Sequence, residues 1–92
     1  VVGFQGAYIG APDHIIAGPK HYVGYGAPDG GRDYDGVSMS ESDLYNVYLP
    51  PFRAAIEAGA GNIMSAYMDF NDVPASANKM LLTEVLRGEL FL

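Results

Sequence analysis

The sequence predicts an α/β fold of the parallel-sheet type, and three observations carry that reading. Two short apolar runs, Ile15–Val23 and Asn62–Tyr67, are each followed by a loop and then by a stretch of helical periodicity. Strands alternating with helices in this way build βα units around a parallel sheet. The loops after the two runs are long, whereas the return from Gly59 to Asn62 is tight. Long βα loops with short αβ returns put a site on the C-terminal edge of the strands. An eight-unit barrel and an open doubly wound sheet both do this, and two units close neither.

Taken in order, Val1–Ile9 is Gly-rich and reads either as the tail of a helix or as a turn. The run Ile15–Val23 carries the polar pair Lys20–His21 near its end. Gly24–Met39 is a loop rich in Gly and Asp, of a length that compact folds usually reserve for function. A helix begins at Ser40 as N-cap, with Glu41 and Asp43 in its first turn. Leu44, Val47, Tyr48, Phe52, Ala55 and Ile56 continue it at three- and four-residue spacing. Pro50–Pro51 lack N–H donors, so this helix is expected to stop near Leu49 and a second to start at the prolines. Gly59 is the C′ residue that ends the second. Asn62–Tyr67 reads as a buried strand and Met68–Ala77 as a loop. The last helix runs from Asn78 or Lys79 to Arg87, with Leu81, Leu82, Val85 and Leu86 on its apolar face and Gly88 as its stop.

The chain has 92 residues, 49% of them apolar and 17% charged, which excludes disorder and allows one domain at most. Five basic against eleven acidic residues give a net charge of −6. Nucleic acid and anionic membranes need a basic face, so neither is expected as a partner. No run approaches the ~18 apolar residues that span a bilayer. With zero cysteines, a disulfide framework and thiolate zinc sites are excluded. The apolar end Leu90–Phe91–Leu92 and the start at Val1 read as cut edges, so a segment of a larger chain is expected.

Lys20–His21, at a strand's end, can hydrogen-bond a polar ligand from one side, or can face solvent with the imidazole satisfied by a carbonyl. Arg32 can aim its fork at ligand hydroxyls or a carboxylate, or can pin its own loop through Asp33 or Asp35; the second is favoured by composition alone. Met64 and Tyr67 lie three apart on the second strand and so point to opposite faces, one of them able to meet a ligand. Core packing is the simpler role for both. Asp69 and Asp72 read as turn residues, and His14 has no assigned role. The loop glycines lack GxGxxG spacing, and neither HExxH nor a Ser-His-Asp order is present. No cofactor and no metal are expected.

The segments KHYVGYGAPDGGRDYD, SESDLYNVYLPPFRAAIEAGAGNIMSAYMDFNDVPASAN and KMLLTEVLRGEL together resemble glycoside hydrolase family 3. The match lies in the N-terminal (β/α)8 barrel domain and runs from about Gly3 to the end. A KHF-type strand end, a GGR loop, LPPF, AGA, an MSAY strand, an N-x-x-P segment and an LLTxxLRGE helix occur in one order. The β-glucosidase and β-xylosidase branch is the more similar one, because the KHFPGHG-type motif of the N-acetylglucosaminidase branch is absent: Tyr25 and Gly26 follow Gly24 without a second histidine. Glu89–Leu90–Phe91–Leu92 stands where an EWGF-like end is usual, and Asp72 where glycine is usual.

The resemblance implies a partial barrel, residues 1–92 being an internal segment with about two of its βα units. It implies a retaining hydrolase acting on terminal non-reducing β-D-glucosyl or xylosyl residues, with the carbohydrate as partner. Lys20, His21, Arg32, Met64 and Tyr67 would bind the −1 sugar. The nucleophilic Asp, on the strand after the LRGE helix, and the general acid, from a second domain, would both lie outside the segment. Without them the chain binds sugar weakly and hydrolyses nothing; the other reading is a truncated, non-catalytic carbohydrate-binding relic of the same domain. A free-standing two-unit domain is disfavoured by its unpaired edges. The family suggests a periplasmic or secreted location.

Overall fold

Tyr22 brings the two apolar runs together. In the computed structural model, which describes residues 1–92, its N–H donates to the Met64 carbonyl at 2.8 Å and its carbonyl accepts from Ala66 N at 2.6 Å. Met64 N adds a bond to the Pro19 carbonyl at 3.2 Å. Tyr22 and Ser65 thus form a parallel bridge. The pairing has the sense that a crossover connection requires, but it is shorter than two full strands. Upstream, Ile15 N donates to the Phe4 carbonyl and Ala17 N to Gln5 Oε1, so this backbone is committed to the N-terminal segment instead. Ile15 and Ile16 are accordingly 67% and 51% exposed rather than core.

The ambiguous start is a short helix, α1 (Val2–Gln5), ended by Gly6 at φ 69°. Gln5 is buried and serves as a staple that single-residue propensities cannot show. Its Nε2 donates to the Gly59 carbonyl at 2.7 Å, and its Oε1 accepts from Ala17 N and Gly61 N at 3.0 Å each. One amide therefore ties α1 to the approach of both paired segments.

Ser40 caps the next helix as expected, its Oγ accepting from Asp43 N at 3.0 Å. The helix begins as α2 (Glu41–Asp43) and continues through a wide turn, Leu44–Tyr48, into α3 (Pro50–Glu57). The expected boundary at the prolines is present: the first stretch ends at Tyr48, and α3 starts at Pro50 with both prolines in its first turn. Leu49 between them keeps helical angles (φ −77°, ψ −34°), and its N–H reaches back five residues to Leu44 O at 2.8 Å. This π-type turn just before Pro50–Pro51 accommodates their missing donors and ring bulk. Gly59 ends it as expected: at φ 93° it donates to Ile56 O, while Ala60 N reaches Ala55 O, the paired bonds of a Schellman cap.

The stretch expected as a loop, Met68–Ala77, contains a hairpin. β1 (Asp69–Phe70) pairs antiparallel with β2 (Val73–Pro74), and Asn71 and Asp72 between them have φ 48° and 69°. Positive φ at both central residues is what a two-residue type I′ loop demands, and Asn and Asp are among the few side chains that tolerate it. After it, Asn78 Oδ1 caps α4 (Met80–Val85) by accepting from Leu81 N at 3.1 Å. The expected face is confirmed: Leu81, Val85 and Leu86 are buried and Leu82 is half-buried. At Gly88 a Cβ would collide with the Glu84 carbonyl.

The core gathers Tyr22, Val23, Val37, Leu44, Leu49, Phe70, Leu81 and Val85, drawn from most of the chain after the first run. The Phe52 ring meets Tyr22 edge-on at 5.1 Å, and the Tyr22 hydroxyl donates to Leu81 O at 2.8 Å. The result is a small mixed α/β unit. Its radius of gyration, 13.9 Å, exceeds the ~12 Å of a fully compact chain this long, and Val2, Phe4, Ile15, Ile16 and Phe91 remain exposed.

Tyr22→Phe removes the hydroxyl from Leu81 O and should lower unfolding free energy by about 1 kcal/mol, read from urea midpoints. Burial pushes the Tyr22 phenol well above its ordinary value of 10.0. A raised phenol contributes stability that is complete below the unfolded value and is lost as pH climbs past it. The wild-type chain should therefore lose stability above pH ~10 more steeply than Tyr22→Phe; parallel pH profiles would contradict the assignment. Gln5→Ala, which strands three backbone groups, should cost about 2 kcal/mol in the same assay.

Candidate functional site

His21 sits between the exposed Lys20 and the fully buried Tyr22 and Val23. The peptide bonds Lys20–His21 and Tyr22–Val23 are cis. With its successors locked into the core, His21 lines an open cleft of about 370 Å³. Lys20, Gly24, Tyr25 and Gly26 share its side of that cleft, and Tyr48, Pro51 and Phe52 form the opposite wall. The volume falls within the range of small-molecule sites, about 300–1,000 Å³. A larger hollow of about 550 Å³, lined by Ile63, Leu82, Leu86 and Leu92 among others, contains none of the candidate residues.

His21 lines the cleft, while its Nε2 atom is buried and has no hydrogen-bond partner. Buried polar atoms are almost always paired, so such an atom is a position waiting for a partner. Depending on tautomer it donates to, or accepts from, a hydroxyl. Lys20 lines the same cleft and is in no ion pair. Around the imidazole stand tyrosines: Tyr67 at 4.7 Å and Tyr25 at 5.0 Å between ring centroids. Tyr34 closes the group, 5.4 Å from Tyr67 and 6.4 Å from Tyr25. Desolvation, reinforced by the Asp33 carboxylate, lifts the Tyr25 hydroxyl above its ordinary value.

Of the five residues the sequence singled out, Lys20 and His21 line the cleft, and Tyr67 packs its ring near that of His21 without lining the cleft itself. Arg32 lies on the same loop as Tyr25 but is 76% exposed, and its Nε pairs with Asp35 Oδ2 at 2.7 Å. That is the loop-pinning alternative read from the sequence. The Nη atoms make no hydrogen bond, so the fork retains donors. Met64 contributes its backbone to the Tyr22 bridge, and its side chain is 49% exposed outside the cleft lining. Asp72 lies in the hairpin turn and Asp69 in β1, in line with a structural role. His14 bonds its ring Nδ1 with the Pro12 carbonyl at 2.7 Å, apart from the cleft. No group of three or more His, Cys, Asp or Glu could hold a metal ion.

Sequence reasoning passed over Tyr25 and Tyr34. Their signal was present: two tyrosines in a loop segment, Gly24–Gly36, otherwise made of Gly, Ala, Pro, acidic residues and Arg32. Together the parts suit a ligand with hydroxyl edges and apolar faces. Hydroxyls meet Lys20, His21 Nε2 and phenol groups, and C–H faces meet aromatic rings.

Comparison with known proteins agrees with this reading. The family model described as Glycosyl hydrolase family 3 N terminal domain matches residues 1–91. The periplasmic beta-glucosidase of Salmonella typhimurium is 41% identical over 75 residues, covering 82% of this chain and 10% of that protein. A beta-xylosidase of Formosa agariphila is 49% identical over 81 residues, covering 85% and 11% respectively. The crystal structure of beta-glucosidase from Listeria innocua in complex with glucose superposes with a TM-score of 0.93 at 41% identity, over 98% of this chain and 13% of that one. The chain thus spans about a tenth of the length of these relatives. A match over nearly every residue, at this identity and with this shape, makes the chain a member of glycosyl hydrolase family 3, within its N terminal domain.

Proposed function

We propose that this chain forms part of the sugar-holding wall of a retaining β-glycosidase acting on terminal non-reducing β-D-glucosyl or xylosyl residues. The observation that carries the reading is that Lys20 and His21 line one cleft, with the buried His21 Nε2 left without a partner in the chain. Lys20 and His21 bond the hydroxyls of the −1 sugar, and Tyr67 offers it a ring edge beside them. Met64 borders the glycone, and Arg32 reaches it through its unengaged Nη atoms. Residues 1–92 then constitute an internal part of a (β/α)8 barrel, with about two of its βα units. The parallel Tyr22–Ser65 bridge and the helix that connects its two sides support that architecture.

Retention requires a nucleophile and a general acid, two carboxyl groups about 5 Å apart. No carboxylate lines the cleft, so both are supplied from beyond these residues. The chain's own part is binding and orientation, which matter because a correctly held glycosyl ring converts a bimolecular attack into an effectively intramolecular one. The net charge of −6 suits a neutral substrate better than an anionic one. A periplasmic or secreted location fits the Salmonella relative's name.

Titrating the labelled 92-residue chain with glucose should move the His21 ring resonances with weak affinity. Lys20→Ala and His21→Ala should each weaken binding about tenfold, the loss of one charge-assisted or buried hydrogen bond. An aryl β-glucoside should bind without being hydrolysed. Glucose affinity indifferent to both substitutions would contradict the site, and turnover by the chain alone would contradict the assignment of the carboxylates.

A further inference from the structure

The Gly24–Met39 loop is closed by a side chain from the neighbouring loop. Asn71, at the tip of the β1–β2 hairpin, accepts from Met39 N through Oδ1 at 2.9 Å and donates to the Met39 carbonyl through Nδ2 at 3.0 Å. Two residues earlier, Val37 N donates to Asp69 O at 2.9 Å and Val37 O accepts from Asn71 N at 2.8 Å, making a parallel bridge to Phe70. Pairing at alternate residues is the period of a strand. The loop's last residues therefore add a third strand to the hairpin, and the Asn71 amide replaces the backbone pair that the turn cannot supply. Met39 also seals the loop's other end. At Gly24, φ 86°, an added Cβ would lie 2.9 Å from the Met39 Cε, so the two ends of the loop meet. A surface loop with adjoining ends is an Ω-loop, and this one carries Tyr25, Arg32 and Tyr34.

Asn71 answers two demands at once. Its φ of 48° is a left-handed position that few residues accept, and its planar amide is both donor and acceptor. Tyr34, too, holds a positive φ of 71°, and its ring, though 69% exposed, is kept 5.4 Å from that of Tyr67. An exposed loop tip would otherwise sample many positions, and binding would carry the entropy of ordering it.

We infer that Asn71 is a positioning residue for the proposed sugar site. By clamping Met39 it holds the Tyr25–Tyr34 loop against Tyr67 and so preorganises the aromatic wall around His21. The functional half of this inference rests on the sugar-binding reading above; the clamp itself does not.

Asn71→Gly keeps the turn geometry and deletes the amide, and Asn71→Asp keeps only the acceptor. In the 92-residue chain, amide exchange, inter-ring proton contacts and glucose titration read the three levels separately. Asn71→Gly should lose protection at Met39 N while Tyr22 and Ala66 stay protected. Tyr34–Tyr67 ring contacts should vanish, and glucose affinity at His21 should fall about two- to tenfold, as for one aromatic contact. Asn71→Asp should lie between. Ring contacts that persist after Met39 loses protection would overturn the inference, as would undiminished glucose binding by Asn71→Gly. If the wild-type chain binds no glucose, the sugar reading fails, while exchange and ring contacts still decide the clamp. If Asn71→Gly loses protection at Tyr22 as well, Asn71→Asp decides: intact core protection with lost ring contacts supports the clamp, and unchanged ring contacts overturn it.

Discussion

The structure depends on a single residue being held on three sides. Tyr22 pairs its backbone with Met64 and Ala66, fills the core with its ring against Phe52, and bonds its hydroxyl to Leu81. Few other residues touch both paired segments and both main helices. Because Tyr22 is fully buried, the chain just before it is delivered to the rim, and His21 and Lys20 stand in the cleft for that reason. A core contact thereby becomes a functional constraint: moving the phenol would move the imidazole.

The site then needs its second wall, which comes from loops rather than strands. Loops are stable at fixed positions only when their backbone groups find partners. Here the partners are supplied crosswise, Val37 to the β1 edge and Met39 to Asn71, so the two long loops are bonded to each other. The remaining freedom sits in Arg32, which is paired with Asp35 inside its own loop and is well exposed. Relatives that share this chain's shape include a β-glucosidase with glucose bound.

Local signals in the sequence proved reliable where the structure is local. Ser40, Gly59 and Asn78 mark helix ends by their own side chain or φ, and the structure uses each at the expected end. The parallel sense of the pairing was legible, but the two apolar runs expected as strands meet only at the single Tyr22–Ser65 bridge, and of Asn62–Tyr67 only Ala66 is buried. Non-local satisfaction was not legible. Gln5 serves Gly59, Gly61 and Ala17, and nothing near Gln5 in sequence announces those partners. The prolines marked the start of the second helix as expected, but the wide turn just upstream of them had no signal of its own. The hairpin was hidden because Asn-Asp is a weaker turn signal than Asn-Gly and because Val73–Pro74 hardly reads as a strand. Tyr25 and Tyr34 escaped notice since their role appears only once the loop folds back on Tyr67.

The central claim is that Tyr22 burial delivers a working sugar-binding rim, and it can be tested inside a complete enzyme. Residues 1–92 would replace the matching stretch of the Listeria innocua β-glucosidase, to which this chain is 41% identical over 98% of its length. Turnover of an aryl β-glucoside by this chimera is the measurement. The account predicts retained turnover that His21→Ala removes without lowering the melting temperature. A chimera that folds with the parent's melting temperature yet turns over nothing, or whose activity ignores His21→Ala, would contradict it.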